Sequence, residues 1–164
     1  MKHVLSLLVE NQQGVLSRIS GLFSGRGYNL ESITAGVTTD PSITRITLVS
    51  VGNETVLEQI KKQLNKLIDV VKLVDLTEKP STHRELALIK VHATPKQRGE
   101  IIQVADVFKT RVMDVGVDSL ILEITGSCEK INDFINIMQN YGIMELARSG
   151  LISMEKTKKV KGGV

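Results

Sequence analysis

At 164 residues the chain is long enough for one ordinary domain or two small ones, and for a packed core. Hydrophobic residues (41%) and charged residues (24%) fall in the soluble globular range, no apolar run approaches the ~20 residues of a membrane span, and MKHVLSLLVENQQG carries no signal-peptide cleavage site. A single cysteine, Cys128, excludes an internal disulfide and fits a reducing cytoplasm, while much of the net charge of +3 sits in the C-terminal EKTKKVKGGV, read as a solvated end and not a nucleic-acid arm.

In chain order, residues 3 to 10 read as an apolar strand, and 15 to 26 as a helix with Val15, Ile19, Leu22 and Phe23 on one face. Gly25-Arg26-Gly27 stops that helix. NLESITAGVTT, the turn Asp40-Pro41-Ser42 and ITRITLVSV then form a hairpin. Asn53 caps a second helix bearing Val56, Ile60, Leu64 and Leu67, and VVKLVDL closes the unit as a strand. The order is βαββαβ. After TEKPSTHR, residues 77–84, read as a linker around Pro80, the same order begins again: strand ELALIKVHA, helix PKQRGEIIQVADVFKT with Pro95 in its first turn, and two strands within RVMDVGVDSLILEITG. A helix capped by Ser127 follows, with Ile131, Phe134, Ile135 and Met138 inward, and IMELARSGLISM is a single last strand. The expected fold class is α+β: two tandem ferredoxin-like βαββαβ units, residues 1–76 and 85–164, with helices covering one face of each sheet. Three Phe and two Tyr are few for two isolated cores, so self-association through the sheets, as a two-fold dimer, is expected.

Between the first strand and helix stands VENQQGVLSR, residues 9–18. A helix N-terminus there offers free amides and the positive end of a dipole, and Gly14 would let a carboxylate or phosphate approach the amides of Gly14 and Val15 beside Asn11. The plainer alternative is a capping Asn11 or Gln13 and a tight turn at Gly14. Other chemistries find less support. Gly25 and Gly27 end a helix instead of opening one, against a nucleotide fingerprint, and ITRITLVSV lacks the aromatics of an RNA-binding sheet. His3, His83 and His92 have no ligand partners at metal spacing and read as surface or edge residues; Cys128 has no base or resolving thiol. No catalytic residue and no metal ligand is expected.

The stretches LVENQQGVLSRISGLFSGRGYNLESIT, LNKLIDVVKLVDL, RELALIKV and ELARSG resemble the regulatory (small) subunit of acetohydroxyacid synthase, also called acetolactate synthase. The likeness runs from residue 3 to about 155 and is densest in the first unit, which in that family is an ACT domain. It implies a non-catalytic cytoplasmic subunit, dimeric through its ACT domains, that activates a larger catalytic subunit and confers feedback by a branched-chain amino acid, usually valine. Thiamine diphosphate, magnesium and FAD would belong to that partner, and this chain would carry no cofactor. It also implies an effector site: the valine carboxylate at Gly14 and Val15 with Asn11 alongside, and Asn29 and Leu30 of the neighbouring chain closing it. Where the family often has an acidic residue or proline, this loop has Gln12 and Gln13. The competing readings are a stand-alone amino-acid sensor acting on another enzyme or on transcription, and a small ferredoxin-fold enzyme. No helix-turn-helix segment and no polar catalytic cluster supports either.

Overall fold

The structure, a computed structural model, describes residues 1–157 and divides into two compact units: residues 1–82 with those from 151 on, and residues 83–150. Most of the lysine-rich end read from the sequence as solvated lies outside the described residues.

In the first unit β1 (Lys2–Glu10) leads to α1 (Val15–Gly25), then β2 (Asn29–Val37), β3 (Ile43–Val51), α2 (Glu54–Leu64) and β4 (Val70–Asp75). The antiparallel sheet has the order β2-β3-β1-β4. β1 is central, and Leu5, Leu7 and Val9 on its inner face are at most 1% exposed. They meet Ile46 and Leu48 of β3, Val15, Ile19 and Phe23 of α1, and Leu57, Ile60 and Leu64 of α2. The 3.6-residue spacing of the helical positions and the twofold spacing of the strand positions thus converge on one layer. Asn53 caps α2, its side chain accepting from Val56 N at 2.9 Å.

The second unit repeats the plan with β5 (Ser81–His92), α3 (Arg98–Val107), β6 (Arg111–Val115), β7 (Ser119–Gly126), α4 (Cys128–Met138) and β8 (Ile143–Arg148), in the order β6-β7-β5-β8. Its core gathers Ile89, Val91, Leu120, Leu122 and Ile124 of the sheet with Ile101, Ala105, Ile131, Phe134 and Met138 of the helices. Both units are therefore ferredoxin-like βαββαβ folds, as the patterning predicts.

Four local expectations need correction. The last strand is two: β8 ends at Arg148 and β9 (Ile152–Glu155) follows a turn in which Gly150 takes φ +81°, a conformation that stops pairing on the old line. β9 pairs with β5, whose first residues, Ser81 and Thr82, also belong to the first unit, and Lys156 N donates to Pro80 O at 2.8 Å. The segment read as a linker to residue 84 already contains the start of β5. The helix expected from Pro95 begins at Arg98, because Gln97 N and Arg98 N both donate to Thr94 O at 3.0 Å and hold Pro95 in a preceding turn. His3 is not a surface residue: it is 1% exposed, and its Nε2 donates to Gly52 O at 3.0 Å, which puts the proton on that nitrogen.

Candidate functional site

Residues 11–14 form the loop between β1 and α1, and its backbone is held at both ends. Asn11 N donates to Ser42 O at 2.7 Å and Asn11 Nδ2 to Pro41 O at 2.9 Å, tying the loop to the β2–β3 turn. Gln12 N donates to Glu10 O at 3.0 Å, and Gln12 Nε2 to Glu10 Oε2 at 2.9 Å. The side chains of Asn11 and Gln12 are thus occupied in shaping the loop. Gly14 is the N-cap of α1 at φ +83°, no side chain caps the helix, and its first turn holds no acid. A residue with a Cβ pays about 1–2 kcal/mol in that left-handed region, so glycine is the residue this turn selects. Val15 behind it is buried and fixes the helix on the core.

Arg18, one helical turn on, completes the arrangement. Its Nε and Nη2 donate to Asp69 Oδ2 and Oδ1 at 2.7 and 2.9 Å, and Asp69 is only 5% exposed. Hydrogen bonding to Asp69, and then its charge, raise the Arg18 pKa against the opposing effect of desolvation. The remaining nitrogen, Nη1, lies 3.1 Å from where a Cβ on Gly14 would stand. Sequence reasoning overlooks this pair: the spacing of Arg18 from Gly14 suits one helix face, but Asp69 lies 51 residues away along the chain.

Asn29 and Leu30 stand elsewhere. They begin β2, paired with Val51 and Ser50 of β3, and Asn29 O accepts from Ser50 Oγ at 2.7 Å. Val51 in turn faces Lys2 at the start of β1, whereas loop 11–14 follows Glu10 at its other end, opposite Ile43. Eight strand steps separate the two ends, about 25 Å at 3.3 Å per residue. Within one chain, then, Asn11, Gly14 and Val15 come together, and Asn29 and Leu30 do not join them.

A cavity of about 420 Å³ opens at the Gly52 end of the same unit, lined by His3, Glu54, Leu57, Lys61 and Asp75 among others. Lys61 is already shared there between Glu58 at 2.6 Å and Asp75 at 3.3 Å. Burial would raise the Asp75 pKa, but hydrogen bonds from Thr77 and the contact with Lys61 outweigh it and hold the carboxyl below its usual value. In the second unit Arg148 grips the buried Glu85 at 2.7 Å through both Nε and Nη2, and Cys128 Sγ approaches Glu85 Oε2 at 3.4 Å. Among the described residues no group of three or more His, Cys, Asp or Glu converges on a metal position, and no helix is long and apolar enough to cross a membrane.

Fold and loop together define a tandem ferredoxin-like protein of the ACT class, with an uncapped helix N-terminus opening the first unit. The profile of an AHAS small subunit-like ACT domain matches residues 5–72, and that of the small subunit of acetolactate synthase matches residues 84–157. The chain belongs to the acetolactate synthase small-subunit family. It is 48% identical over 159 residues to a probable acetolactate synthase small subunit of Archaeoglobus fulgidus, covering 97% of this chain and 99% of that one. It is 46% identical to the acetolactate synthase small subunit of Mycolicibacterium smegmatis over 94% of this chain and 91% of the relative. The crystal structure of the acetolactate synthase small subunit from Thermotoga maritima superposes with a TM-score of 0.89 at 35% identity, over 96% of this chain and 99% of that one.

Proposed function

We propose that this chain is the non-catalytic regulatory subunit of an acetolactate synthase, raising the activity of a catalytic large subunit and making it sensitive to feedback by a branched-chain amino acid, with valine the effector. Membership of the small-subunit family over nearly the whole chain implies the large-subunit partner. Thiamine diphosphate, magnesium and FAD belong to that partner, and no residue of this chain is assigned a step in the chemistry.

The observation that carries the effector reading is the N-terminus of α1, where Gly14 takes φ +83°, no side chain caps the helix and the first turn holds no acid, so the positive end of the helix dipole has no side-chain acceptor of its own. In our reading the α-carboxylate of the amino acid faces the amides of Gly14 and Val15, with Asn11 alongside. Asn29 and Leu30 of a neighbouring chain complete the site. The register supports a two-chain site: β2 is an edge strand with Ile33 and Val37 exposed, and Val37 pairs with Thr44, near the end of the sheet that loop 11–14 follows. Antiparallel pairing of two β2 strands across a two-fold axis would bring the neighbour's Asn29 to that end. Residues 1–76 act as the ACT domain that binds effector and dimerises, and the second unit tunes the response.

The test is reconstitution with the catalytic subunit, measuring acetolactate formation with and without this chain and across valine, leucine and isoleucine, alongside calorimetric titration of the chain with aspartate as control. Activation together with saturable binding of an aliphatic amino acid is expected. Gly14→Asp would remove inhibition and keep activation. A variant inhibited like the wild type refutes the site, and absence of activation refutes the subunit role.

A further inference from the structure

We infer that the cavity at the Gly52 end of the first unit is a second ligand site, built for an aliphatic amine: a small organic cation whose ammonium N–H groups are shared between His3 Nδ1 and the carboxylates of the lining.

The walls follow from the two periodicities of the fold. Glu54, Leu57, Glu58 and Lys61 recur at i, i+3, i+4 and i+7 of α2, so a single stripe of the helix lines the cavity. The rest of the lining comes from the start of β1 and from the end of β4 with the residues that follow it. Hydrogen bonds hold these pieces together: Leu76 N donates to Val4 O at 2.8 Å, Val4 N to Thr77 Oγ1 at 3.2 Å, and Gly52 N to Met1 O at 3.1 Å. Every lining residue belongs to the first unit, and about 420 Å³ is within the range of small-molecule sites.

His3 is the one lining residue that is both polar and buried. Its Nε2 donates to Gly52 O at 3.0 Å, so Nδ1 is the acceptor of the ring, and among the described residues nothing donates to it. Folded proteins seldom leave a buried acceptor bare. With Nε2 taken up by Gly52, Nδ1 is the atom of the ring that remains for a donor entering the cavity.

The charges decide what kind of donor. The carboxylates of Glu54, Glu58, Asp75 and Glu78 line the cavity against Lys61 and Lys79, and acids still exceed cations by one when the Met1 ammonium is counted. Lys61 is shared between Glu58 and Asp75, and Lys79 stands 3.9 Å from Glu155. Glu54 on α2 and Glu78 beyond β4 make no ion pair or hydrogen bond among the described residues. The groups without partners are thus all acceptors, and a ligand must bring both donors and positive charge. A bare metal ion fits poorly, because no three His, Asp or Glu side chains among the described residues converge on one point. An alkylammonium carries three N–H donors, reaches separated acceptors and lays its methylenes against Leu57. An α-amino acid is disfavoured, since its carboxylate would meet the same acids.

The register sets this cavity apart from loop 11–14. Lys2 pairs with Val51 at one end of β1, and Glu10 with Ile43 at the other. The amine site is therefore independent of the effector reading above.

The experiment titrates the full chain by calorimetry with 1,4-diaminobutane, using 1,4-butanediol and magnesium chloride as neutral and inorganic controls, while long-range proton–nitrogen correlation spectra at fixed pH follow the histidine rings. The diamine should saturate and weaken as salt is raised, the diol should not bind, and the His3 Nδ1 resonance should move while those of His83 and His92 stay. Glu54→Gln combined with Glu78→Gln, both at exposed positions, should weaken the diamine about 3- to 10-fold, as expected for two exposed charge contacts, and leave the thermal midpoint and the valine titration unchanged. Diamine binding that leaves the His3 resonance still, or that survives the double substitution undiminished, would place the amine elsewhere and overturn the inference. Absence of saturation would overturn it too, and so would magnesium binding as well as the diamine, which would reduce the cavity to an acidic patch. A wild type that binds the diamine but no aliphatic amino acid would support this site and count against the effector reading alone.

Discussion

Two glycines of α1 make opposite demands, and substituting each by alanine separates conformation from space. Gly14 sits at φ +83°, and a Cβ there would stand 3.1 Å from Arg18 Nη1, close enough that the flexible end of the arginine must give by a few tenths of an ångström. The backbone cost is the larger effect, about 1–2 kcal/mol for a left-handed residue with a Cβ, partly offset by the lower entropy of the unfolded chain. Gly14→Ala should therefore destabilise the first unit by about 1 kcal/mol. Gly21 lies in the interior of the same helix with nothing within 4 Å of its missing Cβ. There alanine relieves a helix of a poor former, and Gly21→Ala should stabilise by about 0.5–1 kcal/mol. The two variants differ by close to 2 kcal/mol, roughly a molar of urea at a slope of about 2 kcal/mol per molar. Urea unfolding of the full chain, with hydrogen exchange of the Leu7 and Ile19 amides reporting on the first unit, reads the difference. Gly14→Ala as stable as Gly21→Ala would refute the claim that the loop requires a left-handed residue.

Three further outcomes follow from the same geometry. Arg148→Met removes the guanidinium that meets both oxygens of Glu85, itself 5% exposed, and should cost about 3–5 kcal/mol, a fall of roughly 10 °C in thermal midpoint; changing Glu85 to Leu as well should recover most of it. Asn53→Ala, which deletes the acceptor of Val56 N, should lower first-unit stability by about 1 kcal/mol in urea unfolding. Asp40 has its carboxyl held below the usual range by the Ser42 hydroxyl and then by the Ser42 amide. Its contribution is thus present above the unfolded carboxyl's pKa of about 4 and is lost as pH falls through the lower folded value. Ser42→Ala should move the Asp40 titration upward, read by carboxyl chemical shifts.

Where neighbours along the chain decide the outcome, the sequence was readable. The alternation in LSLLV, the i, i+4, i+8 spacing of Val15, Ile19 and Phe23, and the caps at Asn53 and Ser127 all depend on residues a few positions apart, and the structure bears each out. Two features depend on distant partners and a third on a backbone angle, and none was visible. His3 looks like a stray polar residue until Gly52 O, 49 positions away, accepts a hydrogen bond from its Nε2. Arg18 looks like a solvated helix residue until Asp69 folds against it. Ser149-Gly150 lies inside an apolar run whose pattern continues across it, and only the positive φ at Gly150 shows that the strand has broken. The candidate site divides the same way: Asn11 and Gly14 announce themselves by type and position, and the cation beside them does not.

The separation of the two halves of the proposed site bears on how regulation would operate. Because Asn29 and Leu30 lie about 25 Å from loop 11–14 in their own chain, a ligand touching both sets must touch two chains. Its affinity then depends on how those chains sit against each other, and by linkage the ligand shifts that arrangement by the same factor. A coupling of about 1–3 kcal/mol, equivalent to roughly 5- to 150-fold, is within what one or two charge-assisted hydrogen bonds made in only one arrangement supply. Regulation would then need no large movement inside either unit. It needs only that two arrangements of the dimer differ in how well the neighbour's β2 closes over the helix end, so that the effector, by favouring one, selects which surface the catalytic subunit meets.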